Sequence, residues 1–317
     1  MTAAVFPGQG SQKPGMGKAL HDASGSAREV FDIVQRATGI DVRQVCFELD
    51  EDTLRQTQNS QIALFTAGIA AYRAFAVRAS NFRFEAAAGH SVGEYAALVA
   101  AGVLTVEDGA RLVQRRGDLM SRVGNLRPGG MAAVLGLERE PLEAVCREAS
   151  TSNEVVVIAN DNSPGQLVIS GDKAAVERAS AKASETGARR VMPLNVSGAF
   201  HSPLMEAPAE AMGEALRGVS FQSGNAVVYA NVTAATVSSH ESWAGLLEDQ
   251  LKSPVRWTES VRAMRRDGIE TFVEFGAGEV LCGLIRRIEP EAKTLPVHDP
   301  ATLEIALEVL QGTKVEA

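Results

Sequence analysis

The sequence predicts an α/β fold in two parts: a larger one presenting a serine at a sharp strand-to-helix turn, and a smaller ferredoxin-like subdomain inserted into it. Three observations predict this. The apolar run Ala86-Ala87-Ala88 ends in Gly89-His90-Ser91-Val92-Gly93 and passes at once into Ala- and Leu-rich sequence, which reads as a buried strand, a tight turn and a helix with Ser91 at the tip. Between Pro128 and Asn195 the periodicity runs β-α-β-β-α-β, the order of a ferredoxin-like unit. After it the texture of the first part returns, so that residues 1–127 and 197–317 form the larger subdomain and 128–196 the smaller.

In chain order, residues 3–6 read as a buried strand running into Pro7-Gly8-Gln9-Gly10-Ser11-Gln12. Gly-x-Gly after a strand raises a dinucleotide loop, but the third glycine of that fingerprint falls on Lys13 and Pro14 follows, which excludes it. What remains is a polar loop with Gln9 and Gln12 at the carboxyl end of a strand, where α/β sheets place their ligands. Residues 27–38 carry Val30, Phe31 and Val34 at helical spacing and stop at Gly39. Residues 60–78 form a longer core helix with Ile62, Phe65, Ile69, Tyr72 and Phe75 along one face. Thr105 and Asp108 resemble a capping box that opens the helix holding Gln114, Arg115, Arg116 and Gly117.

The inserted unit reads as strand 131–137, helix 140–149, strands 155–160 and 166–170, helix 172–186 and strand 190–194. A loop through Gly198-Ala199-Phe200-His201-Ser202-Pro203 then leads to a helix. Beyond it come a strand at 227–229, helices at 246–251 and 258–267, a strand at 271–275, the tight turn Gly276-Ala277-Gly278 and a helix at 279–288.

Composition narrows the function. With 317 residues, 45% hydrophobic and 22% charged, the chain is an ordinary globular protein. Its net charge of −8 and lack of any Lys/Arg run argue against nucleic acid, so an anionic substrate must be met by a few local cations. Cys46, Cys146 and Cys282 form no Cys-x-x-Cys pair and read as buried apolar residues in a reducing compartment. No apolar stretch reaches the length of a membrane span, the longest being residues 95–104, broken by Gly102. The N-terminus has no signal-peptide core; the expected location is the cytoplasm, and the expected state a monomer.

A serine hydroxyl is a poor nucleophile. It needs an exposed, strained position, a base to take its proton, and donors for the oxyanion. Gly89 and Gly93 let strand and helix close around Ser91, and the Val92 N–H, at the helix N-terminus, points at a developing negative charge. Of five histidines, His90 points to the other face from Ser91, and His21 and His240 lie in polar segments. His298, in Pro-Val-His-Asp-Pro, would suit a Ser-Asp-His hydrolase; His201 lies on the loop leaving the small subdomain. Spacing leaves both open.

Six motifs carry a resemblance: Phe6-Pro7-Gly8-Gln9-Gly10-Ser11-Gln12, Gly89-His90-Ser91-Val92-Gly93-Glu94-Tyr95, Gln114-Arg115-Arg116-Gly117, Asn160-Asp161-Asn162-Ser163-Pro164-Gly165-Gln166, Gly198-Ala199-Phe200-His201-Ser202 and Gln250-Leu251-Lys252-Ser253-Pro254-Val255-Arg256-Trp257. In order and over most of the chain, they resemble the malonyl-CoA:acyl carrier protein transacylase family. The resemblance implies an α/β-hydrolase-like large subdomain, a ferredoxin-like small one, and an active site in the cleft between them. It implies Ser91 as nucleophile, His201 as its base, and Gln250 orienting the imidazole by a hydrogen bond in the role an aspartate plays in a triad. Gln9 and the Val92 N–H would form the oxyanion hole, Arg116 would hold the malonyl carboxylate, and Arg115 would face solvent. Phe200 would crowd a 2-methyl branch, and Asn160 and Asn162 would shape the acyl pocket.

The expected reaction is ping-pong: malonyl-CoA acylates Ser91, and the phosphopantetheine thiol of acyl carrier protein collects the malonyl group, with no metal or redox cofactor. An acidic carrier protein needs a local basic patch, for which Arg189, Arg190, Arg286 and Arg287 are candidates. Two rivals stand beside this reading. A Ser-His-Asp esterase would use His298 and release free acid to water; a non-catalytic carrier-docking module would bind without forming an acyl-serine.

Overall fold

A computed structural model describes residues 1–126, 129–196 and 198–312. Strand β1 (Thr2–Phe6) is followed by helices α1 (Lys18–Ala23), α2 (Gly25–Thr38), α3 (Val42–Phe47), α4 (Glu51–Arg55) and α5 (Thr57–Arg78), then β2 (Ala86–Gly89), α6 (Gly93–Ala100) and α7 (Val106–Leu126). Next come β3 (Gly129–Leu135), α8 (Arg139–Ala149), β4 (Val156–Ser163), β5 (Gln166–Asp172), α9 (Lys173–Glu185) and β6 (Arg190–Pro193). The chain continues with α10 (Glu206–Arg217), β7 (Val227–Ala230), β8 (Ala235–Thr236), α11 (Trp243–Gln250), α12 (Trp257–Arg266), β9 (Thr271–Phe275), α13 (Val280–Ile288), β10 (Lys293–Val297) and α14 (Pro300–Gln311).

The larger sheet has the order β10-β9-β1-β2-β7-β8, parallel except for the short β8. Strands β1 and β2 are buried along their whole length, which is why both read as unbroken apolar runs rather than alternating ones. Their register sets Phe6 opposite Gly89. The carboxyl ends of β1, β2 and β7 therefore lie side by side, and they deliver the Gln9 loop, Ser91 and Asn231 to one edge of the sheet. A Cβ on Gly93 would stand 2.1 Å from the Phe6 carbonyl oxygen, so only glycine lets α6 start this close to β1.

Helix α5 corrects the expectation that no stretch is long and apolar enough to cross a membrane: its 22 residues are. It packs against α2, α6 and α7 and is apolar on nearly every face. Thr57, Ser60, Gln61 and Thr66 break the run in sequence, yet all four are buried, and the Thr66 hydroxyl donates to the Ile62 carbonyl at 2.7 Å.

The second sheet has the order β4-β5-β3-β6, with every neighbouring pair antiparallel. Ala132 and Val134 face a core shared with Leu142, Val145, Ile169 and Ala179, under α8 and α9. The alternate residues Met131 and Ala133 face the other way, toward the cavity described below. The 253–258 segment joins the two sheets: Val255 exchanges backbone hydrogen bonds with Ala159 and Asp161, and the Thr258 hydroxyl donates to Asp161 Oδ1. Arg139 reinforces the junction by pairing with both Asp161 and Glu259. The expected junctions fall on Arg127, Pro128 and Ser197, which lie outside the described residues.

Candidate active site

Ser91 follows β2 with φ of +52°, a left-handed conformation that a serine holds only under constraint. The constraint comes from Asn231, just past β7. Its Oδ1 accepts from the Ser91 N–H at 2.8 Å, and its Nδ2 donates to the Gly89 carbonyl at 2.6 Å. The Val92 N–H, at the start of α6, meets no acceptor among the described residues and borders the cavity.

His201 stands on the loop between β6 and α10, also left-handed with φ of +56°. Its Nε2 lies 2.8 Å from Ser91 Oγ, and its Nδ1 lies 2.8 Å from the Gln250 carbonyl oxygen and 3.2 Å from that of Ser253. Carbonyls only accept, so the ring proton resides on Nδ1 and Nε2 presents a lone pair to the serine hydroxyl. Burial, with Arg116 nearby, depresses the imidazole to about 3, so His201 is neutral at pH 7 and free to take a proton.

Gln250 meets the imidazole by a hydrogen bond, but through its main chain. Its side chain does not touch His201; its main-chain carbonyl does. It is the last residue of α11, where helix carbonyls have no partner within the helix and can turn to the imidazole. The side-chain amide is engaged elsewhere: Nε2 donates to the Ser91 carbonyl at 3.0 Å and to Glu94, and Oε1 accepts from Arg116 Nη2 at 2.9 Å.

Arg116, on α7, is fully buried, whereas Arg115 beside it is exposed. Its Nη1 donates to Gln61 Oε1 at 2.8 Å and its Nη2 to Ser91 Oγ at 3.0 Å, while the guanidinium lies 5.9 Å from the centre of the Tyr95 ring. Glu94, in the first turn of α6, is 1% exposed. Burial pushes its carboxyl up to about 7 against the Asn231 N–H, the Gln250 amide and the charge of Arg116, all of which favour the carboxylate.

Ser91, Arg116 and His201 open onto a cavity of about 240 Å³, room for a short acyl group. Gln9, Val92, Asn160, Asn162 and Phe200 line it, joined by Gln61, Met120, Met131 and Leu194. His90 Nε2 lies 2.8 Å from Asn162 Oδ1, so the imidazole beside the serine turns toward β4, and burial holds it below the usual imidazole range. His298 is not part of the cavity lining; it sits 3.4 Å from Asp299 at the start of α14. Arg189, Arg190, Arg286 and Arg287 are exposed, and Arg287 reaches across to Gln166, at the cavity rim, at 2.6 Å. The three cysteines are free and buried, and no His/Cys/Asp/Glu group among the described residues is arranged to hold a metal. Sequence reasoning missed Asn231, Gln61 and the role of Glu94. Of these Asn231 had a signal, a polar residue just beyond the carboxyl end of an expected strand.

An acidic, globular chain with a hydroxyl, an imidazole and a buried guanidinium meeting in a small cavity has the equipment for acyl transfer from an anionic donor. Comparison with known proteins agrees. Residues 4–294 match the acyl transferase domain family. The chain is 40% identical over 309 residues to the malonyl CoA-acyl carrier protein transacylase of Bacillus subtilis, covering 98% of this chain and 97% of that one. It superposes on the crystal structure of malonyl-CoA:acyl carrier protein transacylase from Xanthomonas oryzae with a TM-score of 0.93 at 42% identity, covering 98% of each. It superposes on a malonyl-transacylase in complex with a type II PKS acyl-carrier protein with a TM-score of 0.92 at 36% identity, covering 98% of this chain and 99% of that one. Likeness of this degree over nearly the whole of each relative means that the chain belongs to the malonyl-CoA:acyl carrier protein transacylase family.

Proposed function

We propose that the chain moves a malonyl group from malonyl-CoA to the phosphopantetheine thiol of acyl carrier protein through a malonyl ester on Ser91, for fatty-acid or polyketide synthesis. One observation carries the reading: Ser91 Oγ lies within hydrogen-bond reach of both His201 Nε2, at 2.8 Å, and Arg116 Nη2, at 3.0 Å. The nucleophile, its base and a cation for the acyl carboxylate share one point.

His201 takes the Ser91 proton as Oγ attacks the thioester carbonyl, with the Val92 N–H and the Gln9 loop receiving the oxyanion. The tetrahedral adduct collapses, the C–S bond breaks, and CoA leaves with the proton from His201. In the second half the carrier thiol gives its proton to His201, its sulfur attacks the ester, and Ser91 leaves with that proton. Each step is a proton transfer coupled to an acyl transfer, and neither calls for a metal or redox group. Arg116 offers the malonyl carboxylate a planar, permanently charged donor face steadied by Gln61 and Gln250. Phe200 and Asn162 bound the acyl pocket, and bulk at Phe200 disfavours a 2-methyl branch.

In this reading the four-stranded sheet with α8 and α9 is a ferredoxin-like subdomain inserted into an α/β-hydrolase-like one, supported by its 2-3-1-4 strand order. Carrier protein as acceptor is supported by the relative solved with its carrier, and the exposed arginines around Arg287 are the proposed docking patch. The proposed location is the cytoplasm and the proposed state a monomer.

The test is incubation with malonyl-CoA followed by mass spectrometry, then addition of phosphopantetheinylated carrier protein. The intact protein should gain one malonyl group and lose it to the carrier; Ser91→Ala should gain none, and His201→Ala should acylate roughly 10²–10⁴-fold more slowly. Release of free malonate instead of transfer, with dependence on His298, would replace this reading by the esterase.

A further inference from the structure

Glu94 takes no part in the steps above, yet it touches both halves of the site. One carboxylate oxygen accepts from the Asn231 N–H at 2.8 Å; the other accepts from Gln250 Nε2. Behind Asn231 stands the nucleophile, whose N–H its side chain holds. Behind Gln250 stands Arg116, which donates to the amide oxygen at 2.9 Å. Glu94 and Arg116 are both buried, and the opposite charges stabilise one another.

We propose that Glu94 is a positioning residue for acyl-carboxylate recognition: by accepting from Asn231 and Gln250 at once, it fixes the Gln250 amide with its oxygen toward Arg116 and so holds the guanidinium beside Ser91. The inference rests on the reading of Arg116 as the carboxylate anchor. Both neighbours of Glu94 are donors, so the position requires a group with two acceptors. A glutamine there has one acceptor and one donor. Its oxygen stays on the Asn231 N–H, because backbone at the end of β7 cannot turn, and its new NH₂ then faces the Gln250 NH₂. Two donors repel, and the side chain is the partner that can move. Gln250 withdraws and takes its oxygen from Arg116, while removal of the carboxylate leaves the guanidinium without its buried counter-charge. An aspartate keeps the charge and both acceptors but is one methylene short of spanning the two partners.

The experiment compares Glu94→Gln and Glu94→Asp with the unaltered chain, measuring acylation by malonyl-CoA and by acetyl-CoA per labelled serine, so that unfolded molecules do not count. In Glu94→Gln the malonyl-to-acetyl ratio of kcat/KM should fall by about 10-fold or more, through KM for malonyl-CoA, on top of any slowing that both donors share when Gln250 Nε2 releases the Ser91 carbonyl. Glu94→Asp should shift the ratio in the same direction by less. An unchanged ratio in Glu94→Gln, or equal loss with both donors, overturns the proposal; should Glu94→Gln fail to fold, an unchanged ratio in Glu94→Asp overturns it. Arg116→Ala separates the two levels. If it collapses the ratio and Glu94→Gln does not, only the role of Glu94 falls; if it leaves the ratio intact, the reading of Arg116 falls as well.

Discussion

Arg116 Nη2 and Ser91 Oγ are 3.0 Å apart, so a buried guanidinium rests against the serine hydroxyl itself. The same nitrogen also donates to Gln250 Oε1, and Nη1 is held by Gln61. The guanidinium is thus fixed at two nitrogens in one plane, a geometry an ammonium cannot reproduce.

Arg116→Lys should therefore behave as a loss despite its retained charge. We predict that kcat/KM for malonyl-CoA drops by about 10- to 100-fold, the range for one charge-assisted hydrogen bond, while acetyl-CoA is little affected. Parallel acylation assays with the two thioesters check this; equal changes for both would contradict it.

Asn231→Ala removes the acceptor from the Ser91 N–H and the donor from the Gly89 carbonyl, loosening the turn without touching the carboxylate pocket. Leaving a buried donor unpaired costs about 1–3 kcal/mol. Acylation by malonyl-CoA and acetyl-CoA should slow by the same factor, roughly 10-fold or more, and a selective loss of either donor would show that Asn231 acts elsewhere.

Gly93→Ala drives a methyl group against the Phe6 carbonyl, backbone against backbone, where no side chain can swing aside. A destabilisation above about 3 kcal/mol is expected. Urea unfolding measures it, and a folded variant within about 1 kcal/mol of the parent would mean that the strand and helix can separate.

His201 gives a pH signature. Its folded pKa, near 3, lies below its ordinary value of 6.5, so the unfolded chain binds the proton first as pH falls. The stability it contributes is fully present above about pH 6.5 and is lost as pH falls toward 3. Between pH 7 and pH 5 the parent should lose about 2 kcal/mol more than His201→Gln, read from urea midpoints at each pH. Identical pH dependence in the two proteins would place the imidazole in ordinary solvent-like surroundings.

The strand-to-helix turn that carries Ser91 was plain in the sequence, because Gly89 and Gly93 answer to steric demands that no residue with a Cβ meets. The small sheet was legible for another reason: the short apolar runs of β3, β4 and β5 end in polar or glycine residues, and the apolar stripes of α8 and α9 mark the faces that cover them. What escaped was whatever depends on backbone or on distant pairing. The partner of His201 is a main-chain carbonyl, which every residue owns, so the motif pointed to Gln250 but not to the atom of it that meets the ring. Asn231 and Gln61 reach the site only through folding. Strand β10 was missed because Pro296 interrupts it; the strand lies at the sheet edge, where a missing N–H is tolerated. Helix α14 was missed although Asp299 and Thr302 form a capping box at its start, since His298 drew attention to the same residues as a candidate base.

The oxygens that grip His201 Nδ1 carry no full charge. A carboxylate there would steady an imidazolium; a carbonyl dipole gives only part of that help, and Arg116 opposes it. Protonated His201 is accordingly a transient species: its proton serves a thiolate or the Ser91 alkoxide, but a departing group far more basic than either fares badly. Amines are of that kind. Thiolates are not, because thiols with a pKa near 8.5 part readily as anions. The chemistry open to this fold is thereby confined to acyl groups already bonded to a willing leaving atom: side by side, a malonyl thioester should turn over and the corresponding anilide should not, and hydrolysis of the anilide would reveal a stronger base than these carbonyls provide.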